Sequence, residues 1–408
     1  MNIQLQRALD RFVGIPLCAL FSLINYIRKS RKLVTSPQKI LIILLSEMGS
    51  LVLAYPMFMS LKQKYPDASI YTLTFAKNKE MLSLLDIIPD KNLFTINDNS
   101  FIRFFLSSLN IIYKLRTIQL DVVIDCELFS RISSIFSFLS HAPLLVGFHR
   151  HTQEGLYRGS FINRTVLYNP YRHISQQFVT MVEAIESITT PIAKHVSSKT
   201  NLDQPPLLSF SEKILALTFT HLHTDFPEIA NKRLILIHPS GGVLPIRAWP
   251  LENYCELTIN FLKHNFAVGV IGLEIDKSLA ETIVTHANNP FCINLAGYTK
   301  SLKHLLMLFH RASLLITNDG GPGQFAALTP IPTIVLFGPE TPLLYQSLGM
   351  NIHSFYSPLP CSPCLTAYNH RTSPCDGDNQ CLKQILPAQV LKKAREILAI
   401  PIINASIV

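Results

Sequence analysis

Charge is scarce in this chain. Only 15% of its 408 residues are Asp, Glu, Lys or Arg, while 48% are apolar. A disordered polypeptide needs the opposite balance, so global disorder is excluded. Glycine is sparse too, and the 16 Gly and 26 Pro follow no period, which excludes collagen-like and low-complexity designs. No window approaches the ~20 uninterrupted apolar residues of a bilayer span, which argues against a polytopic membrane protein. Eight cysteines over this length are too few for a secreted disulfide scaffold. What the sequence does have is a surplus of basic side chains, 36 against 27 acidic, for a formal net charge of +9. Such a surface attracts nucleic acid, anionic lipid or phosphorylated small molecules. It carries no basic helix, no zinc-finger spacing with paired histidines and no aromatic-basic sheet motif, so nucleic acid is not expected as a partner. Anionic lipid and phosphorylated ligands remain. At about 150 residues per domain, the length predicts two to three domains.

Residues Phe12 to Ile27 form an oily segment, too short and interrupted for a comfortable span. On a helix, Arg11, Gly14, Cys18, Ser22, Asn25 and Lys29 fall on one narrow polar stripe, and the rest of the surface is apolar. Arg28, Lys29, Arg31 and Lys32 follow at once. The pattern predicts a helix in the membrane interface with a basic anchor for anionic lipid. The alternative is an amphipathic helix packed on the protein's own core. A signal peptide is disfavoured, because Asp10 precedes the apolar run and no A-x-A-like site follows.

From Lys39 onward, short β-rich runs alternate with helical patterns. Lys39–Leu45, Ser69–Phe75 and Asp121–Asp125 read as buried strands, with helices through Leu61 and over Phe129–Leu139. Thr189–Pro206 is rich in Thr, Ser, Pro and Lys and reads as a linker. The alternation then restarts, with strands at Leu234–Ile237, Ala267–Ile271, Leu314–Thr317 and Thr333–Phe337. Helices are expected at Leu251–Lys263 and Ser301–Phe309 and from Gly323. Strand-helix alternation in tandem predicts two doubly wound α/β domains facing a cleft, with ligands at the carboxyl ends of strands.

Three strand ends in the second half carry candidate chemistry. His238-Pro239-Ser240-Gly241-Gly242, with Arg247 and Trp249 following, offers small residues for close anion approach and a guanidinium for phosphate. The bland reading is a strand-to-helix turn with Trp249 as core filler. Asn318-Asp319-Gly320-Gly321-Pro322-Gly323-Gln324 places three glycines where a diphosphate can dock, and Asp319 where it can accept hydrogen bonds from sugar hydroxyls. An ordinary capped turn would look similar. The segment lacks the spacing of a dinucleotide fingerprint or a Walker loop, which argues against an NAD-type oxidoreductase or an NTPase. Phe337-Gly338-Pro339-Glu340-Thr341-Pro342 can floor the same pocket. In the first half the matching strand end is Ser46-Glu47-Met48-Gly49-Ser50, whose one carboxylate, Glu47, can deprotonate an incoming hydroxyl.

In this order, S-E-M-G-S-x-V-L-A-Y-P, H-P-S-G-G with R-x-W-P, T-N-D-G-G-P-G and L-F-G-P-E-T-P, the loops resemble the lipopolysaccharide heptosyltransferase family. These are inverting glycosyltransferases of family 9 with the GT-B fold, and the resemblance covers roughly residues 39–395. It implies a nucleotide-sugar donor, commonly ADP-heptose, and a lipid-linked glycan acceptor at the cytoplasmic face of the inner membrane. It implies no divalent metal or other cofactor for catalysis. It divides the chain into an amphipathic helix and basic linker at 1–36, an acceptor domain at 37–205 and a donor domain at 206–408. Arg247 takes the place of the family's phosphate-contacting lysine. His238, Ser240, Gly241, Asp319, Gly320, Gly321, Pro322, Gly323 and Gln324 match the donor-holding loops, and Glu274 matches the carboxylate that holds the ribose. The chain departs from the family pattern at Ser50, where the family's presumed catalytic base is Asp. A serine cannot do a carboxylate's work near neutral pH. Either Glu47 takes over, or the base lies elsewhere, or the chain is a non-catalytic binding relative. Gln324 also stands where the family tends to carry His, and glutamine cannot carry charge.

The remaining motif is C-x2-C-x10-C-x5-C, formed by Cys361, Cys364, Cys375 and Cys381 within a polar loop at 356–383. Four thiolates suit tetrahedral coordination of a structural zinc or iron, and a reducing compartment disfavours disulfides. His353 and His370 are possible substitute ligands, though lone loop histidines are usually solvated.

Overall fold

A computed structural model describes residues 3–27, 36–45, 47–128, 130–149, 157–187, 202–367, 372–373 and 375–399. Most of the linker read at Thr189–Pro206 lies outside these, as do the basic run Arg28–Lys32 and His370. The chain divides into two compact units, Met1–Gln204 with Thr366–Thr372, and Pro205–Leu365 with Ser373–Val408.

The first unit opens with α1 (Ile3–Phe12) and α2 (Gly14–Ile27). There follow β1 (Lys39–Ile43), α3 (Met48–Leu53), α4 (Tyr55–Lys64), β2 (Ser69–Phe75), α5 (Lys79–Leu85) and β3 (Leu93–Ile96). The unit continues through α6 (Phe101–Ile118), β4 (Val122–Asp125), α7 (Arg131–Leu139), β5 (Leu144–His149), β6 (Arg164–Leu167) and α8 (Ile174–Glu183). The six strands form one parallel sheet in the order β3-β2-β1-β4-β5-β6. Ile40 to Ile43 of β1 are fully buried, as a central strand covered by helices on both faces requires.

The second unit repeats the plan. It runs α9 (Glu212–Asp225), β7 (Arg233–His238), α10 (Leu251–Lys263), β8 (Phe266–Gly272), α11 (Lys277–Ala287), β9 (Cys292–Ala296) and α12 (Leu302–Arg311). Then come β10 (Leu314–Asn318), α13 (Gly321–Ala326), β11 (Thr333–Phe337), α14 (Pro342–Tyr345), β12 (Ile352–Tyr356), α15 (Gln380–Lys383) and α16 (Pro387–Leu398). Its sheet order is β12-β11-β10-β7-β8-β9. Counted from each unit's first strand, both sheets have the order 3-2-1-4-5-6 of a doubly wound dinucleotide-type fold. The chain reverses direction across the sheet between β1 and β4 in the first unit and between β7 and β10 in the second. Ligands in such sheets bind outside the carboxyl ends of the strands at that reversal.

The N-terminal helices pack on the first unit's own core and leave an oily side exposed. The narrow stripe points inward: Gly14 and Cys18 are buried, and Ser22 donates to the Cys18 carbonyl and accepts from the Ser160 N–H. The oily side points outward, with Phe12, Leu23, Tyr26 and Ile27 all more than half exposed. Asp10 fixes the position. Its carboxylate accepts from the Arg131 and Ile132 N–H groups (2.7 and 3.2 Å) and pairs with the Arg131 guanidinium (2.9 Å), so it caps α7 from another segment. By length and composition Ala8–Ile27 suffices to cross a membrane, although the sequence read as too interrupted.

Candidate functional site

The second unit gathers its candidate residues where the sheet reverses. β7 ends at His238 and β10 at Asn318, and the two strands are paired in register, Thr317 opposite His238. Burial holds the His238 imidazole well down, at about 4, so it is neutral near pH 7 and offers hydrogen bonds rather than charge. Its Nδ1 lies 3.2 Å from the Thr317 hydroxyl. The next residues turn sharply. The Ser240 hydroxyl accepts from the Gly242 N–H, and Gly241 packs against the carbonyls of Leu244 and Pro245.

Asn318, which the sequence reading did not single out, ties this turn together. Its amide donates to the carbonyls of Pro239 and Ser240 (2.9 and 3.2 Å), and its oxygen accepts from the Trp249 N–H and the Tyr254 hydroxyl. One fully buried side chain therefore fixes both ends of the His238–Trp249 loop. Trp249 is core, as its bland reading has it, and its indole N–H donates to the Leu382 and Ile385 carbonyls.

Arg247 and Asp319 do come together, and Glu340 joins them. The guanidinium pairs with the Glu340 carboxylate, and its Nε lies 4.0 Å from an Asp319 oxygen. All three side chains are nearly or wholly buried. One cation between two acids leaves the trio with a formal charge of −1. Arg247 is therefore held in place by acids from two other turns. Glu340 entered the sequence reading only as part of a loop, because its partner lies 93 positions away.

The glycine-rich segment begins α13. At Gly320 the backbone is extended, and an added Cβ would meet nothing closer than 4.0 Å. Pro322 and Gly323 occupy the first turn. The Gln324 amide is turned into the protein, donating to the Tyr345 carbonyl at 2.7 Å. Glu274 follows β8, the neighbour of β7. It is exposed, and Lys277 (2.6 Å) holds its carboxyl below the usual range.

In the first unit, Glu47 precedes α3 and the Ser50 hydroxyl lies 3.4 Å from its carboxylate, so the structure places the two adjacent at the end of β1. At the end of β4 and just past it, at the reversal point, lie two acids the sequence reading did not weigh. Asp125 is fully buried, paired with Arg158 and hydrogen-bonded by Ser133 and Ser134. Glu127 accepts from the Leu45 N–H at 2.6 Å. Asp125 is committed to Arg158 and the first turn of α7, and Glu127 ties the β4 end to the β1 end, which leaves Glu47 as the more exposed carboxylate there.

The cysteine-rich loop packs against the turns after β7 and β11. The Asn379 amide donates to the Ile246 carbonyl, beside Arg247, and the Cys364 and Leu365 N–H groups both donate to the Pro339 carbonyl, beside Glu340. Burial raises the Cys381 thiol, and Cys364, Cys361 and Cys375 add to that rise. Among the described residues, however, no three His, Cys, Asp or Glu side chains converge on a metal position. The donor set suits zinc or iron in chemistry, but its side chains do not close a tetrahedron as they stand. His353 lies on β12, the strand that leads into this loop.

Comparison with known proteins identifies the family and the fold. The model of glycosyltransferase family 9 (heptosyltransferase) matches residues 109–373, well over half of the chain. The lipooligosaccharide heptosyltransferase 2 of Haemophilus ducreyi is 24% identical over 312 residues, covering 74% of this chain and 84% of that protein. Among solved structures, the E. coli ADP-heptose lipopolysaccharide heptosyltransferase II superposes with a TM-score of 0.68 at 20% identity, covering 88% of this chain and 98% of that one. The iron-containing dodecameric glycosyltransferase TibC of enterotoxigenic E. coli superposes with a TM-score of 0.53 at 11% identity, covering 89% of this chain and 77% of that one.

Proposed function

The chain belongs to glycosyltransferase family 9, the heptosyltransferases, and on that premise we propose that it transfers heptose from ADP-heptose to a lipopolysaccharide core or related lipid-linked glycan. The observation that carries the reading is the Arg247–Asp319–Glu340 trio beside the glycine-rich turn at the β7/β10 reversal. The second unit holds the donor. The Gly320–Gly323 backbone admits the diphosphate, Asp319 and Glu340 accept from sugar hydroxyls, and Arg247 offsets charge on the departing diphosphate. Neutral His238, Ser240 and Gly241 shape the adjoining turn, and Glu274 accepts from the ribose. The first unit binds the acceptor. Glu47 takes the proton from the acceptor hydroxyl as its oxygen bonds to the anomeric carbon, the glycosidic bond to diphosphate breaks, and ADP leaves with inversion. Ser50 holds the Glu47 carboxylate in position.

The reading places the protein on the cytoplasmic side, peripheral to the inner membrane, in contact with anionic lipid. Support comes from the outward-facing oily side of α2 and the basic run that follows it in sequence. It also gives the four cysteines a structural zinc or iron, supported by their spacing within one loop and by the iron in TibC. When bound, the metal would pin the loop that braces the Arg247 and Glu340 turns. Metal analysis of the purified protein, with and without Cys361→Ser and Cys364→Ser, checks this independently of activity.

ADP release from ADP-heptose, measured with and without a core-glycan acceptor, tests the function. Arg247→Ala and Asp319→Ala are expected to lower acceptor-dependent release by about a hundredfold or more while the fold persists. Glu47→Gln should abolish transfer while leaving donor binding intact. Wild-type turnover in these variants would refute the site. Donor binding without turnover in the unmutated protein, restored by Ser50→Asp, would identify a chain that has lost its base.

A further inference from the structure

α6 turns a second oily surface outward. Phe101, Ile102, Phe105, Leu106, Leu109 and Tyr113 are each 51–73% exposed. At ~100° per residue they fall within an arc of about 140°, while Ser108, Ile111 and Leu115 face the sheet. Large apolar side chains are normally exposed singly, and six on one helix face mark an interaction surface. The helix carries no acidic residue, and Arg103 and Lys114 flank the stripe. At its C-terminal end the stripe opens into a groove of about 480 Å³, walled by Tyr71, Phe94 and Tyr113 and rimmed by Lys91 and Lys114. α6 packs on α7, and so does α2, and both contribute to the same apolar cluster on one face of the sheet.

We propose that α6 is a second membrane-contact element of the first unit, inserting its oily stripe among anionic lipids while Arg103, Lys114 and Lys91 engage their phosphates. The proposal deepens the reading above that the protein acts at a membrane, and rests on it. Charge selects the occupant. A face with basic residues and no acid on its helix is repelled by a second copy of itself and attracted by an anionic bilayer. Continuity with α2 points the same way, since one layer of helices on one sheet face carries both exposed oily surfaces.

The test is co-sedimentation of the full chain with vesicles of phosphatidylethanolamine and phosphatidylglycerol, and with phosphatidylcholine alone. The triple variant Ile102→Ser, Leu106→Ser, Leu109→Ser is expected to lower partitioning by about tenfold with α1 and α2 intact. Its transfer to detergent-dispersed acceptor should stay within about twofold of the unmutated chain, which also shows that it is folded. A second variant, Arg103→Glu with Lys114→Glu, should weaken binding to the anionic vesicles only. Equal partitioning of the triple variant overturns the role of α6. So does a loss of oligomeric mass, read by light scattering, with vesicle binding unchanged, because the face then serves a second copy. If the unmutated chain transfers heptose but binds neither vesicle, the membrane reading itself fails while the glycosyltransferase reading stands.

Discussion

Gly241 and Gly320 end adjacent strands, yet the protein needs them for opposite reasons. A Cβ on Gly241 would lie 2.7 Å from the Leu244 carbonyl oxygen and 2.9 Å from that of Pro245, so the turn itself excludes a side chain. A Cβ on Gly320 would touch nothing, so the protein's packing does not require glycine there. If a diphosphate approaches that backbone, the ligand is what excludes the methyl group. Gly241→Ala is therefore expected to lower stability by about 1–3 kcal/mol, read by thermal unfolding. Gly320→Ala should leave the melting temperature unchanged and raise KM for the donor about tenfold or more. An unchanged KM would remove Gly320 from the donor site. Sequence reading reached both glycines because they follow buried strands. It reached Glu47 as the one carboxylate at its strand end, and Ser50 through the family resemblance. It missed Asn318 as a brace and Glu340 as the partner of Arg247, because those roles depend on contacts 64 to 93 positions apart in the chain.

Among elements, legibility followed burial. Strands covered on both faces, such as β1, β7, β10 and β11, show largely apolar runs and were read to within two residues at each end. The edge strands β3 and β12 are short and only part-buried, so they lack that signature. α6 escaped for a related reason: it is apolar on two faces, and its outward stripe blurs the period that marks a core-facing helix. The N-terminal pair shows how a polar residue can invert the expected packing. Asp10 argued against a signal peptide in the sequence, and in the fold it holds α1 and α2 to the start of α7. Asp10→Ala removes the cap and one arm of the ion pair, a loss of about 1–2 kcal/mol confined to the docking of α1 and α2. Tryptic cleavage at Arg7 and Arg11 should then quicken by about tenfold with the global melting temperature unchanged. Unaltered cleavage would show that the Gly14-Cys18-Ser22 stripe suffices to hold the segment.

For the whole molecule, the surplus of +9 and the outward oily surfaces of α2 and α6 would give the proposed membrane association two components that salt separates. The Debye length falls from about 8 Å in physiological salt to about 3 Å at 1 M, so attraction between basic side chains and lipid phosphates is screened away. The apolar component is not screened, since it depends on area removed from water. Binding to phosphatidylglycerol-containing vesicles should therefore fall steeply with added salt and then level off above zero. A chain held by charge alone would leave the vesicles completely, and a chain held by oily insertion alone would show no fall. Replacing Arg28, Lys29, Arg31 and Lys32 by Gln should flatten the steep part and leave the plateau, while the α6 serine variant should lower the plateau and leave the slope. If both changes act on the same part of the curve, the basic run and the oily stripe do not contribute separately, and the division of labour between them is wrong.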